Sequence, residues 1–330
     1  MFSGLLFAVL AAAFVFEFIN GFHDTANAIA TTVYTRALPP RVAILMSATM
    51  NFIGALMSEN VALTIAKGLV DVQLELHVIL AALMGAIIWD LFTWWRAIPS
   101  SSSHALIGSL IGATIVFTGG FKDVIWSGVV NKVVIPIFTS PLIGFILGFT
   151  IMRLVHEVCA NIQLKKANAF FHKAQIASSM FMAYSHGNND AQKTMGIITI
   201  ALISAGLLES GTGIPLWVKL FCAGTMALGT SIGGQRIMKT VGSGVTKLEP
   251  VMGFVSETSS AIAIEVMTAL GAPVSTTQVI TTSIMGAGTA RGAKKVKWGI
   301  GYQMFIAWVV TLPATMLLGG VVAWIVGLIL

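Results

Sequence analysis

Two aspartates set the chemistry of this chain. Asp24 lies in the run Gly-Phe-His-Asp-Thr-Ala-Asn, from Gly21 to Asn27, and Asp190 lies in Gly-Asn-Asn-Asp-Ala-Gln-Lys, from Gly187 to Lys193. Both runs interrupt long apolar stretches. A carboxylate inside a bilayer costs about 2.5–3.5 kcal/mol on insertion scales, so two of them at matching places suggest use. Asp24 and Asn27 are spaced i, i+3, as are Asp190 and Lys193, and a helix presents such pairs on one face. Gly21 and Gly187 let the backbone open or pack closely there. Freed carbonyls, a carboxylate and an amide oxygen suit a hard cation or a proton. Asn189 and His23 stand next to the acids. Glu17, seven residues before Asp24, falls two turns along the same face and is expected to support Asp24 or to pass protons. His23, His104 and His186 are candidate proton carriers. A buried polar pair joining two helices would explain one such run, but not its recurrence.

Two hydroxyl-rich runs do the opposite job. Pro99 to His104 reads Pro-Ser-Ser-Ser-Ser-His, and Pro273 to Gln278 reads Pro-Val-Ser-Thr-Thr-Gln. Proline favours a first helical turn, and serine or threonine caps its free N–H groups. Each run should start a helix whose positive end favours an anion. Ser101, Ser102 and Ser103, facing Ser275, Thr276 and Thr277, offer hydroxyls to a tetrahedral oxyanion. An anion arriving alone would be repelled by Asp24 and Asp190, so the pattern implies that a cation or proton travels with it.

The elements that hold these residues read as membrane segments. Of 330 residues, 56% are apolar and only 10% charged, and the mean hydropathy is +0.89. Soluble domains carry about 25% charged residues. Ten apolar segments are expected, at 3–35, 40–66, 76–96, 100–118 and 129–155, then at 173–207, 214–237, 250–270, 274–290 and 298–328. The formal charge of +6 lies in short loops, which argues for topology-setting charge and against a nucleic-acid partner. With the N-terminus outside, the inside loops hold Arg36, Arg41, Arg96, Arg153, Lys165, Lys166, Lys173, Arg236, Lys239, Lys247, Arg291, Lys294, Lys295 and Lys297. Lys67, Lys122, Lys132, Lys193 and Lys219 remain. Both termini are therefore expected on the extracytoplasmic side of the inner membrane.

Five passes per half invert the second half relative to the first. Asp24 and Asp190 are 166 residues apart, and the two proline-led runs are 174 apart, in the same order. The expected fold is an all-α polytopic membrane protein of two inverted repeats, residues 1–157 and 173–330, joined by a short cytoplasmic linker at 158–172. The segments around Arg96 are read as a re-entrant hairpin or two full spans. Cys159 and Cys222 lack metal-ligand spacing, and neither a bound metal nor a cofactor is expected. Asp90, Glu257 and Glu265 fall in or near spans and are expected to line wet space or to meet helix ends. Trp89, Trp94 and Trp95 read as an interfacial belt.

At these residues the chain resembles the PiT family of inorganic phosphate transporters. That family carries a Gly-x-Asn-Asp-x-x-Asn motif in each half and a Pro-x-Ser/Thr-Ser/Thr-His hairpin motif, and the likeness covers essentially the whole chain. The resemblance implies re-entrant hairpins, phosphate as substrate, and a shared substrate and cation site at Asp24, Asn27, Asn189 and Asp190 with Ser102, Ser103, Thr276 and Thr277. Three positions depart from the sodium-coupled pattern: His23 and Lys193 replace asparagines, and Gln278 replaces the second hairpin histidine. The lysine ammonium is a compact cation suited to a sodium ion's place. These departures resemble the bacterial low-affinity branch, which implies protons as the coupling ion and metal–phosphate complexes among its cargo. Sodium coupling, an anion channel and a sulfate permease are the alternatives. A PhoU-like cytoplasmic partner and a homodimer are compatible with the resemblance, though no residue marks either. An intramembrane hydrolase is disfavoured, since neither Gly-x-Ser-x-Gly nor His-Glu-x-x-His occurs.

Overall fold

The computed structural model describes residues 4–70, 74–232 and 245–329; the side chains of Ala26, Asn27 and Leu164 lie outside the described residues. Arg236 and Lys239, expected in an inside loop, fall outside them too. The described chain is helical, with no strand beyond one isolated bridge between Val70 and Val124. The helices are α1 (Gly4–Tyr34), α2 (Pro40–Ala55), α3 (Asn60–Lys67), α4 (Leu76–Trp95), α5 (Ser102–Thr118), α6 (Trp126–Val129), α7 (Ile135–Val158), α8 (Leu164–Ser204), α9 (Leu216–Ile232), α10 (Pro250–Ala269), α11 (Thr276–Ala290) and α12 (Trp298–Ile329). A π turn, Val130–Val134, joins α6 to α7.

Each expected segment contains a helix, but fewer pass as complete spans. By length and apolarity these are α1, α4, the continuous stretch Trp126–Val158, and α12; α2 and α3 make a fifth if their 64° bend is one broken span. The shortfall has physical causes. At 17 residues α5 is about 25 Å long at 1.5 Å per residue, short of a 30 Å hydrocarbon core, and α9 runs to the edge of the described residues at Ile232. The 41-residue α8 is interrupted by its own polar run around Asp190. It also begins at Leu164, so most of the stretch read as a linker is helical.

Two hairpins, α4–α5 and α10–α11, turn in the same way. Ala97 ends α4 with φ +54° and passes a bond from Ile98 N to Thr93 O at 2.9 Å. Gly271 ends α10 with φ +68° and passes one from Ala272 N to Met267 O at 2.9 Å. This left-handed stop is the usual helix ending. Pro99 and Pro273 follow. Ser101 then accepts from His104 N at 3.2 Å, and Ser275 from Gln278 N at 3.3 Å, as N-caps of α5 and α11.

The helices pack in matched pairs: α1 on α9 and α8 on α2, α5 on α12 and α11 on α7. Glycine permits each approach. A Cβ on Gly21 would stand 2.4 Å from Met226 O, and one on Gly187 would stand 2.2 Å from Asn51 O. On Gly112 it would meet Met316 O at 1.8 Å, and on Gly286 Phe145 O at 2.1 Å. Such close backbone contact is how helices associate where lipid removes the hydrophobic drive between them. Outward faces are apolar and exposed, as at Phe7, Leu45, Leu142, Leu317 and Trp324, while polar side chains are gathered inside.

Candidate functional site

The N-termini of α5 and α11 meet between α1 and α8, and the polar runs converge there. Asp24, 2% exposed, accepts from three groups. Oδ2 takes the Ser102 hydroxyl at 2.6 Å, and Oδ1 takes His23 Nδ1 at 2.8 Å and the Thr277 hydroxyl at 3.3 Å. Asp190 is fully buried. Its Oδ1 pairs with Lys193 Nζ at 2.6 Å, and Oδ2 takes the Thr276 hydroxyl at 3.4 Å. His186 Nε2 lies 3.4 Å from Asp190 Oδ2, close enough for attraction but not aligned as a hydrogen bond.

The two acids are held by crossed donors. Asp24 takes one hydroxyl from its own half, Ser102, and one from the other, Thr277. Asp190 takes Thr276 from its own half, while Lys193 donates to the Ser103 hydroxyl of the other and to Val274 O at 3.2 Å. Ser103 in turn donates to Val274 O at 2.9 Å. The Lys193 ammonium thus sits among a carboxylate, a hydroxyl and a carbonyl oxygen, ligands a small hard cation prefers. It is fully buried, which is rare for lysine unless paired.

The structure therefore brings together Asp24, His23, Ser102, Ser103, Thr276, Thr277, Asp190 and Lys193. Ser101 and Ser275 lie in the same turns, with their hydroxyl oxygens used as helix caps. Asn189 faces away from Asp24: its amide donates to Thr268 Oγ1 at 2.7 Å and to Ala272 O at 3.2 Å. Asn27 belongs to α1, but its side chain is outside the described residues. Glu17 is buried on α1 and accepts from Thr194 on α8. His104 is 1% exposed and neither ring nitrogen has a hydrogen-bond partner among the described residues. The same holds for both amide atoms of the fully buried Gln278, its counterpart in the other hairpin. Buried polar groups are normally paired, so these two side chains leave the site with unsaturated polar capacity.

Sequence reasoning missed several participants. Asn20 accepts from Ser102 at 2.9 Å. Asn51 links His186 Nδ1, at 3.0 Å, to Thr25 and Thr230. Thr93 stands 3.4 Å from His23 Nε2. Asn20 and Thr93 each stand one turn from an acid, Asp24 and Asp90, while Asn51 lies on a helix without one. Glu257 belongs to a separate knot, where Thr31, Thr32, Gln175 and Ser178 all donate to it. Glu265 accepts from Asn188. Trp94 turns inward against Phe22, with ring centroids 5.5 Å apart, whereas Trp95 is 63% exposed as a belt residue would be.

Residues 20–319 match the model of the phosphate transporter family. A probable low-affinity inorganic phosphate transporter of Bacillus subtilis is 46% identical over 328 residues, covering 98% of each chain. One from Mycobacterium tuberculosis strain H37Rv is 45% identical over 96% of this chain and 76% of its own length. Among solved structures, a sodium-dependent phosphate transporter superposes with a TM-score of 0.91 at 25% identity, over 99% of this chain and 100% of that one.

Proposed function

The chain belongs to the phosphate transporter family and is a multi-pass membrane protein, and on that premise we propose that it imports inorganic phosphate together with a proton. One observation carries the reading: the hydroxyls a phosphate needs are the same ones that now satisfy two buried acids. Ser102 and Thr277 are donors held by Asp24. While Asp24 is charged, it repels phosphate and occupies the donors. Protonation removes the charge and frees hydroxyl hydrogens to turn toward an anion. Cargo and escort thus favour the same state, which is what coupling requires. The N-termini of α5 and α11 add their dipoles to anion binding.

Asp190 needs no mobile escort of its own, because Lys193 pairs with it at 2.6 Å. The opposite position in the first half, Asn27, carries no charge. One mobile cation at Asp24 and one fixed ammonium at Asp190 make the two halves chemically unequal. On this reading Asp24, Lys193 and Asp190 handle charge, Ser102, Ser103, Thr276 and Thr277 hold phosphate, and His104 and Gln278 face the cargo.

The scaffold for this is an inverted repeat, residues 1–157 and 173–330, with hairpins α4–α5 and α10–α11 re-entering from opposite sides. Exchange of packing partners supports it: α1 meets α9 as α8 meets α2, and α5 meets α12 as α11 meets α7. The matching left-handed stops at Ala97 and Gly271 support it further. The basic loops favour both termini outside, in the inner membrane.

The test is uptake of labelled phosphate by reconstituted protein, with proton gradient, sodium and divalent metal varied separately and sulfate as competitor. A proton gradient alone should drive accumulation. Sodium is the second reading, favoured by the sodium-dependent structural neighbour; uptake that follows sodium and ignores the proton gradient would establish it instead.

A further inference from the structure

We propose that the coupling proton leaves Asp24 through a hydrogen-bonded relay of His23, Thr93 and Ser100 that ends at a cavity under the first hairpin, on the side of the basic loops. This rests on the proton-coupled reading above. The cavity holds about 500 Å³ between the end of α4, the Arg96–Ser100 turn and the first turns of α12, and its wall includes Arg96, Thr93, Ser100 and Gln303. Arg96 in its wall is exposed, and a charged side chain in a membrane protein lines water rather than lipid.

From that wall the Ser100 hydroxyl donates to Thr93 Oγ1 at 2.8 Å. Thr93 Oγ1 is 3.4 Å from His23 Nε2, and His23 Nδ1 is 2.8 Å from Asp24 Oδ1. The chain is continuous from cavity to carboxylate. Ser100 and Thr93 are 0% and 1% exposed, so the wall is shut in this conformation. The proton leaves when the turn parts, and the relay is closed otherwise.

The second half contains no such relay. At the matching positions, Asn189 stands for His23, Met267 for Thr93 and Val274 for Ser100. An amide, a thioether and an isopropyl group cannot pass a proton in sequence. All three relay members are therefore particular to the half whose acid lacks a lysine.

The transfer balances. In release, neutral Asp24 gives its proton to His23 Nδ1 as His23 gives its Nε2 proton to Thr93 Oγ1, Thr93 gives its own to Ser100 Oγ, and Ser100 gives its own to cavity water. Asp24 ends as a carboxylate, both hydroxyls end with one hydrogen each, and the imidazole ends as the other tautomer. Thr93 must first turn its hydrogen from Trp89 O and Asp90 O, which lie 3.1 and 3.2 Å away. Asp24 on α1 and Asp90 on α4 act on His23, while His186 and Lys193 on α8 and His104 on α5 complete the charged and titratable surroundings of Asp24 and Asp90.

The test uses full-length protein in sodium-free vesicles with labelled phosphate. Thr93→Val keeps the shape of the side chain and removes the hydroxyl; Thr93→Ser restores it. Uptake driven by a proton gradient should fall roughly a hundredfold in Thr93→Val, the low end for removal of a proton-transfer group, and should recover in Thr93→Ser. Exchange of phosphate across vesicles at equal pH should persist in both, because a loaded carrier need not release its proton to exchange. Full gradient-driven uptake by Thr93→Val overturns the relay and leaves proton coupling standing. Loss of exchange together with uptake in Thr93→Val also overturns it, by placing Thr93 in the binding site. Wild-type uptake that needs sodium and ignores protons overturns both readings.

Discussion

At the scale of single residues, the two halves hold equivalent acids by different means. Asp24 rests on three neutral or titratable donors, Asp190 on an ammonium. Removing one partner of a buried ion pair leaves a charge with nothing to offset its desolvation, at a cost of about 3–5 kcal/mol. Lys193→Met should therefore lower the thermal unfolding midpoint of the detergent-solubilised protein sharply. The double variant Lys193→Met, Asp190→Asn should recover much of that loss, since it removes both charges. A double variant no more stable than Lys193→Met would deny the pairing. Asp24→Asn keeps the shape but can neither lose nor gain a proton. It should abolish accumulation in vesicles and lower stability by about 1–3 kcal/mol, because the amide has one acceptor oxygen and can keep the bond from Ser102 or those from His23 and Thr277, but not both sets. Full concentrative uptake by Asp24→Asn would remove that residue from the coupling step.

At the scale of elements, the hairpins matter because their helix starts define the site. Ser101 and Ser275 cap those starts, and each cap contributes about 1 kcal/mol. Ser101→Ala and Ser275→Ala should each lower stability by about that amount, and the pair by about the sum if the two hairpins are independent; chemical unfolding followed by helix content measures it. The hairpins are fixed by close packing on α12 and α7. A Cβ on Gly112 would stand 1.8 Å from Met316 O, whereas one on Gly224 would meet nothing within 4 Å. Gly112→Val should destabilise by at least about 1–3 kcal/mol through forced separation of α5 from α12. Gly224→Ala should be neutral or stabilising by up to about 1 kcal/mol, because alanine favours helix. Equal melting of the two variants would mean that α5 and α12 are not in backbone contact.

At the scale of the whole molecule, the proposed scaffold has an odd number of crossings in each half, which would turn the second half over, with the basic loops setting the direction. Exposed positions then divide by side. Thr212, between α8 and α9, belongs outside, and Lys166, at the start of α8, belongs inside. Cysteine placed at Thr212 should react with a membrane-impermeant maleimide in intact cells, while cysteine at Lys166 should react only after permeabilisation. The reverse pattern would invert the topology and make the same carrier geometry face the other way.

Much of this was legible in the sequence for a simple reason. Acids and hydroxyl clusters in apolar surroundings are costly, so their position, and their recurrence at offsets of 166 and 174 residues, marked the site and the family without reference to any fold. Helix starts at Ser102 and Thr276 were likewise local, set by proline and a capping serine. Pairing was not local. Nothing in the order of residues says that Thr277 reaches Asp24 while Lys193 reaches Ser103, that Asn189 turns toward α10, or that Thr93 and Ser100 line up behind His23. Apart from Thr93 and Ser100, which are seven positions apart, those contacts join residues from 70 to 253 positions apart, and they depend on which glycine faces which backbone. The ten expected spans are not confirmed for a related cause: apolarity alone does not distinguish a helix that crosses from one that stops at a polar centre. Composition and motif therefore determined that this chain is a membrane protein of the phosphate transporter family. Tertiary packing decided which hydroxyl serves which acid, because only close helix contact brings the donors of one half to the carboxylate of the other.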